Sequence, residues 1–268
     1  MIVPGLRRWA LALSVASSVA VGACTPKRLA LPADTGSPLP DAAAVLDQVS
    51  RGCRGVRTFT AELALAGRAG RTKLRGRVVA GFERPASMRL EGVAPFGPPA
   101  FILVSRAGEA TLLLPRDDKV LSGASPEDVL GALTGVALAP GDLHAILTGC
   151  VVPEPTARAG RVHANGWASI DLADDATLYL VRSNGAWQPR AARRRGWNVE
   201  YGGWQGDFPR AVTLQSMSGV DVNLTAAVSQ VEANVPIEPA AFTVTVPSSA
   251  GRLTLAELRD AGPLRGEP

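Results

Sequence analysis

The chain of 268 residues is short of the groups that carry most enzyme chemistry, with two histidines, three cysteines, two tyrosines and 5% aromatic residues in all. It has no HExxH, GxSxG or CxxC spacing and no glycine-rich loop ending in Gly-Lys-Ser/Thr. Zinc-protease, α/β-hydrolase, dithiol and P-loop chemistry are therefore not expected. Three cysteines are also too few for a disulfide-dense scaffold. Charged residues make up only 19%, and 28 Lys plus Arg against 24 Asp plus Glu leave +4, too diffuse for a nucleic-acid binder. What the chain does have is apolar content, 46%, which excludes disorder as a whole-chain state.

Isolated chemical groups have local explanations. Asp117-Asp118 and Asp174-Asp175 occupy turn contexts, where Asp bonds its own backbone. His144, in the helical stretch GDLHAIL, is expected at a surface or rim. His163 lies near Ser169 and Asp171 in sequence, which by itself carries no triad geometry. No catalytic residue, metal ligand or cofactor is expected, and the chain reads as a non-enzyme.

The N-terminus gives the first positive signal. Arg7 and Arg8 precede an apolar run, Trp9 to Val21, that is short for a membrane span, and Val21-Gly22-Ala23 lead into Cys24. Residues 1–23 read as an export signal. The tetrad ending at Cys24 resembles the bacterial lipobox, so Cys24 is the expected lipidation site and the membrane is reached through a lipid anchor. Cleavage there removes 23 of the 268 residues, leaving 245, and takes away two arginines and no acid, so +4 falls to +2. Residues 24–40, with four prolines, read as the lipidated cysteine and a flexible tether.

Beyond it, a helix is expected from the N-cap Asp41 to about Cys53, and then the apolar period becomes two. Phe59, Ala61, Leu63 and Leu65 share one face of a strand; Leu74, Val78, Ala80 and Phe82 share another, opposite Lys73, Arg75 and Arg77. Strands follow around Met88 and Leu90, Phe101 to Val104 and Thr111 to Leu114. Two short helices come next, Pro126 to Leu133 with Ser125 as N-cap, and Pro140 to Leu147. Strands return at 160–170, 177–181, 198–204, 210–216 and 220–228. The expected fold is mainly β with some α, an incomplete antiparallel barrel of about ten strands with a helical lid or plug. Residues 41–246 form this domain and 247–268 a C-terminal extension. The arginines at 190, 193, 194 and 195 read as a hairpin turn, either simply solvated or touching anionic headgroups. Cys53 and Cys150 both lie beside helices that would pack at one end of the sheet. In an exported chain they are expected to pair as a disulfide, the other reading being two buried thiols.

Three stretches in this order resemble the outer-membrane lipoprotein-receptor family LolB: MRLEGVAPFGPPAFIL (88–103), VLGALTGVALAPGDLHAILTG (129–149) and WNVEYGG (197–203). The resemblance implies a LolA/LolB-like half-barrel with a helical lid over a hydrophobic cavity. It further implies acceptance of lipoproteins from a periplasmic LolA-like carrier and delivery of their acyl chains to the outer membrane, by a protein anchored on its periplasmic face. The family's protruding loop corresponds here to Pro95, Phe96 and Gly97. A large aromatic on a loop stiffened by prolines suits entry into a bilayer, whereas a core role would fold Phe96 back inside. Acyl chains would be sheltered by Phe59, Leu63, Leu65, Leu74, Val78, Phe82, Met88, Leu90, Phe101, Leu103, Val222 and Leu224. Alternation reports which side faces inward, not whether the inside is filled, so a solid core fits the same pattern. A second reading keeps the fold but makes the chain a lipid-anchored binder of a hydrophobic ligand with no delivery role. A monomer is expected.

Overall fold

The structure is a computed structural model that describes residues 29–194, 196–217 and 221–261; the export signal, Cys24, Arg195 and Val220 lie outside them. The chain divides into two units, Met1–Ala30 and Leu31–Pro268, and every element below belongs to the second. β1 (Ser37–Pro38) and α1 (Ala42–Arg54) lead into a meander of β2 (Thr58–Ala69), β3 (Thr72–Glu83), β4 (Ser87–Val93), β5 (Phe101–Arg106), β6 (Glu109–Leu114) and β7 (Lys119–Ala124). Two helices, α2 (Pro126–Thr134) and α3 (Pro140–Thr148), interrupt it. The meander resumes with β8 (Ala157–Val162), β9 (Ala168–Leu172), β10 (Thr177–Ser183), β11 (Ala186–Arg194), β12 (Trp197–Gln205), β13 (Phe208–Ser216) and β14 (Val222–Ala233). A 3-10 turn (Pro239–Phe242), β15 (Gly251–Arg252) and α4 (Leu255–Ala261) complete it.

All these strands form a single sheet in the order β1-β8-β9-β10-β11-β12-β13-β14-β2-β3-β4-β5-β6-β7-β15, antiparallel except where β15 joins β7. The two halves of the chain meet along β2 and β14, each 12 residues long. The outermost strands do not pair with each other, so the sheet is open. Each edge ends on a strand of two residues, which leaves little free edge to template aggregation.

The fifteen strands among the described residues correct the expectation of about ten. The stretch 160–170 is two strands, β8 and β9, separated by the tight turn at Asn165-Gly166, where Gly166 takes φ +79°. The Gly166 N–H donates to the His163 carbonyl at 3.0 Å, closing a turn whose left-handed position falls on the glycine. The arginine-rich stretch is strand β11, hidden in the sequence by Pro189, which the sheet accommodates where the β10–β11 register slips between Tyr179 and Leu180. Further strands lie at the tether and in the C-terminal extension. β1 pairs with β8, so the tether is fastened to the sheet from there on. In the extension, β15 lies beside β7 and α4 packs on α2, burying Leu253 and Leu258.

The core occupies the inner face of the sheet, filled by the alternating residues of β2 to β6 and β9 to β14. The helices close it from inside. Ser125 caps α2, accepting from the Asp128 N–H at 3.1 Å. Asp41 stands at the start of α1 without a side-chain cap; its carbonyl accepts from Val45 at 2.9 Å. Both α2 and α3 begin on a proline and stop at a glycine, which keeps them to nine residues apiece.

Candidate functional site

β2, β3, β4, β5, β13 and β14 present their inner faces to α2 and α3, and between the layers lies an apolar cavity of about 90 Å³. Six of the twelve expected residues line it: Leu63, Leu65, Val78, Leu90, Phe101 and Leu224. The opposite wall comes from Leu130 and Leu133 of α2, the connection at Val136 and Leu138, and Leu143, Ile146 and Leu147 of α3. Its polar lining residue, Thr134, is already satisfied, since its hydroxyl donates to the Leu130 carbonyl at 2.8 Å. A space with no free polar group favours hydrocarbon over water. Val212, Leu214 and Ala226 complete the lining.

Phe59, Leu74, Phe82, Met88, Leu103 and Val222 do not reach the cavity and belong to filled core instead. The physical reason is that α3 comes down on part of the inner face. Its His144 ring packs against Phe59 and Phe82, with centroids 6.2 and 5.9 Å away. Val222 is similarly pressed against Gly135 at the end of α2. The helical half of the wall was missed from sequence. The available signal was the apolar stripe of Leu143, Ile146 and Leu147 in a helix with few polar positions.

His144 is buried, 6% exposed, rather than at a rim. Burial, with the nearby Arg84 charge, depresses its pKa from 6.5 to about 4. It is therefore neutral at ordinary pH, and its Nε2 has no hydrogen-bond partner among the described residues. α3 is also held by an ion pair between Asp142 and Arg194 of β11. That contact, together with the Arg190 guanidinium donating to the Tyr201 carbonyl, commits two of the four clustered arginines to the fold. Arg193 is exposed, and Arg195 lies outside the described residues.

Pro95, Phe96 and Gly97 sit in the connection between β4 and β5, and Phe96 is 88% exposed. Gly97 takes φ +75°, a left-handed conformation that favours glycine. Arg116, in the turn between β6 and β7, donates to the carbonyls of Phe96 and Pro98 and holds the loop from below its tip. The aromatic ring is thus displayed by a braced backbone.

Cys53 of α1 and Cys150, just beyond α3, form a disulfide with Cα atoms 5.6 Å apart. His163 is placed differently from the sequence reading. Its Nδ1 lies 2.9 Å from Asp34 Oδ1 and its Nε2 3.0 Å from Ser169 Oγ, while Asp171 accepts from Thr177. The connectivity is that of an acyl-transfer triad, but Ser169 is 6% exposed on strand β9. With the Ala164 N–H also donating to Asp34 at 3.1 Å, the three fasten the segment before β1 to the sheet. Among the described residues no group of three or more His, Cys, Asp or Glu side chains is placed to hold a metal ion. No described helix is long and apolar enough to cross a membrane.

No family model and no curated protein matches the sequence. Solved structures do. A DUF1329 family protein from Desulfovibrio piger superposes with a TM-score of 0.50 at 9% identity, covering 77% of this chain and 98% of that one. A LolA superfamily protein from Nitrosomonas europaea gives 0.48 at 10% identity, covering 76% and 97%. A putative outer membrane lipoprotein-sorting protein domain from Vibrio parahaemolyticus gives 0.47 at 10% identity, covering 75% and 95%. At such identity the likeness to the Desulfovibrio protein is one of fold: an open, mainly antiparallel sheet wrapped around a few helices.

Proposed function

We propose that this chain is a lipid-anchored outer-membrane protein of the LolB type, which receives lipoproteins from a LolA-like periplasmic carrier and passes their acyl chains into the bilayer. The observation that carries this reading is Phe96, an aromatic held almost fully in solvent on a braced loop. Exposing a phenyl ring to water forgoes about 1.5–3 kcal/mol of burial, a cost that a bilayer-entering tip recovers at the membrane. A ligand-binding protein with no delivery role has no use for such a tip. The resemblance of 88–103, 129–149 and 197–203 to LolB supports the same reading.

The cavity supplies the other half of the mechanism. An acyl chain of about 16 carbons costs on the order of 10 kcal/mol to expose to water, so it must pass from one apolar shelter to another. The shelter here is small: about 90 Å³ is well below the roughly 300 Å³ at which ligand pockets begin. Loading therefore requires α2 and α3 to lift from the sheet, and the apolar faces they now bury become the walls of the enlarged site. No covalent step is needed, and no side chain of the cavity carries a charge. Delivery then follows from Phe96 entering the bilayer while the chains slide out of the cavity.

Depleting the protein and fractionating the envelope tests the reading. Other lipoproteins should accumulate away from the outer membrane; their normal arrival there overturns the delivery role and leaves the binding role as the better account. Phe96→Glu should fold normally and slow transfer from a carrier to membranes, and unchanged transfer removes Phe96 from the mechanism.

A further inference from the structure

The end of the sheet that carries Phe96 also carries an uncompensated block of positive charge. β2 runs up to this end, β3 runs down from it, and β4 runs up again into the Phe96 loop. The β2–β3 turn at Gly70-Arg71 and the Phe96 loop are therefore on the same side of the molecule. The register makes the relation closer: Arg77 of β3 pairs with Val93, the last residue of β4. Thr72–Gly76 of β3 thus continues past the end of β4, a rise of about 17 Å at ~3.3 Å per residue, at the end of the sheet where the loop emerges.

Arg71 in the turn, Lys73 and Arg75 on this overhang and Arg77 at its foot are all exposed, and none has an ion-pair partner among the described residues. Most nearby acids are engaged elsewhere, and the exposed Glu62 of β2, opposite Val79, neighbours the stripe only at its Arg77 end. Asp221 pairs with Arg68 at 2.8 Å and Glu91 with Arg89 at 2.9 Å, while Asp118 in the β6–β7 turn accepts from Ser249; Asp117 lies in that same turn, beyond the loop. Successive outward residues of a strand are about 7 Å apart, inside the ~8 Å Debye length at physiological salt, so the four cations repel one another. Such a stripe gains by meeting a surface of opposite sign. Its position at the same end of the sheet as an exposed aromatic loop matches a bilayer bearing anionic headgroups, where cations meet phosphates and the ring enters below them.

We propose that the outer face of the β2–β3 hairpin, Arg71, Lys73, Arg75 and Arg77, docks the protein on anionic lipid and brings Phe96 to the headgroup layer. The proposal rests on the membrane-facing reading of that loop. It is tested with the chain from residue 24 carrying Cys24→Ala, which keeps the whole unit Leu31–Pro268 and removes the anchor. Sedimentation is measured with phosphatidylcholine vesicles and with vesicles that also contain phosphatidylglycerol. The unsubstituted hairpin should favour the anionic vesicles and lose that preference as salt is raised.

Combined replacement R71Q/K73Q/R75Q/R77Q should weaken binding to anionic vesicles on the order of several hundredfold, since each of the four basic residues near such a surface contributes about fivefold. Binding to neutral vesicles should not change. A control of equal charge loss at exposed sites elsewhere, R51Q/R57Q/R106Q/R210Q, should keep the preference. Retained preference in the hairpin variant, or equal loss in the control, overturns the proposal. Should the fourfold variant fold poorly, Lys73→Gln and Arg75→Gln alone must each show part of the loss, and salt-insensitive binding of the unsubstituted chain also overturns it. Phe96→Glu separates the two ideas. If it leaves vesicle binding intact while the hairpin variant loses it, docking stands and insertion by Phe96 fails; if binding to neutral vesicles alone drops with Phe96→Glu, both stand.

Discussion

Phe96 and His144 are a large side chain left in water and a titratable one taken out of it. Because Phe96 makes so little contact with the protein, Phe96→Ala should change stability by less than about 0.5 kcal/mol, read by chemical denaturation. A larger loss would mean the ring packs inward. His144 has the opposite signature. Its folded pKa of about 4 lies below the ordinary 6.5, so the unfolded chain takes up a proton that the folded chain refuses between these values. Stability should be full above about pH 6.5 and fall as pH drops toward 4, by on the order of 3 kcal/mol in all. His144→Leu should flatten that window; an undiminished slope would assign the effect to other groups. Asp34 works in the usual acidic sense. The Ala164 N–H, opposed by slight burial and helped by His163, holds its carboxyl below the ordinary value. The fastening of the segment before β1 is thus present at neutral pH and lost in acid, as pH falls through that lowered value.

Among the elements, α2 and α3 are the ones that the proposed function requires to lift from the sheet. They are short, and they are held from three directions. Asp142 ties α3 to Arg194, the disulfide ties the chain just after α3 to α1, and α4 packs on α2 with Leu258 fully buried. Asp142→Asn should cost about 1–3 kcal/mol and speed entry of a polarity-sensitive dye into the cavity. Leu258→Ala should cost about 2–5 kcal/mol and act in the same direction on the dye. If stability falls in both variants without faster uptake, the lid opens by another route. These helices and the alternating strands β2 to β4 and β12 to β14 were legible in the sequence because burial on one face leaves a periodic record, while β5 and β6 were legible as short apolar runs between turn residues. β11 was not, since Pro189 breaks the strand pattern and is accommodated beside a bulge in β11 itself, where Arg190 is the extra residue. β1 and β15 were not either, because two residues carry no period.

At the scale of the whole molecule, Cys53 and Cys150 close a long loop, 97 residues in sequence, that spans the first half of the sheet and the lid. Replacing both by serine should lower stability by about 2–5 kcal/mol in denaturant titration, the range for loss of a native disulfide, and an unchanged midpoint would show the bridge to be energetically idle. The sequence by itself determined that the chain is β-rich, that its inner faces are apolar, that two short helices break the meander and that Phe96 rides on a stiff loop. Those properties are local, set by alternation, caps and prolines. Only the tertiary structure decided which inward residues border a cavity and which fill a core, because that depends on where α2 and α3 come down on the sheet. It also decided that His144 is buried between Phe59 and Phe82, that His163 reaches Asp34 rather than Asp171, and that the cations of β3 stand at the same end of the sheet as Phe96. Each of these joins residues far apart in the chain, and no local pattern records a distance across the sheet.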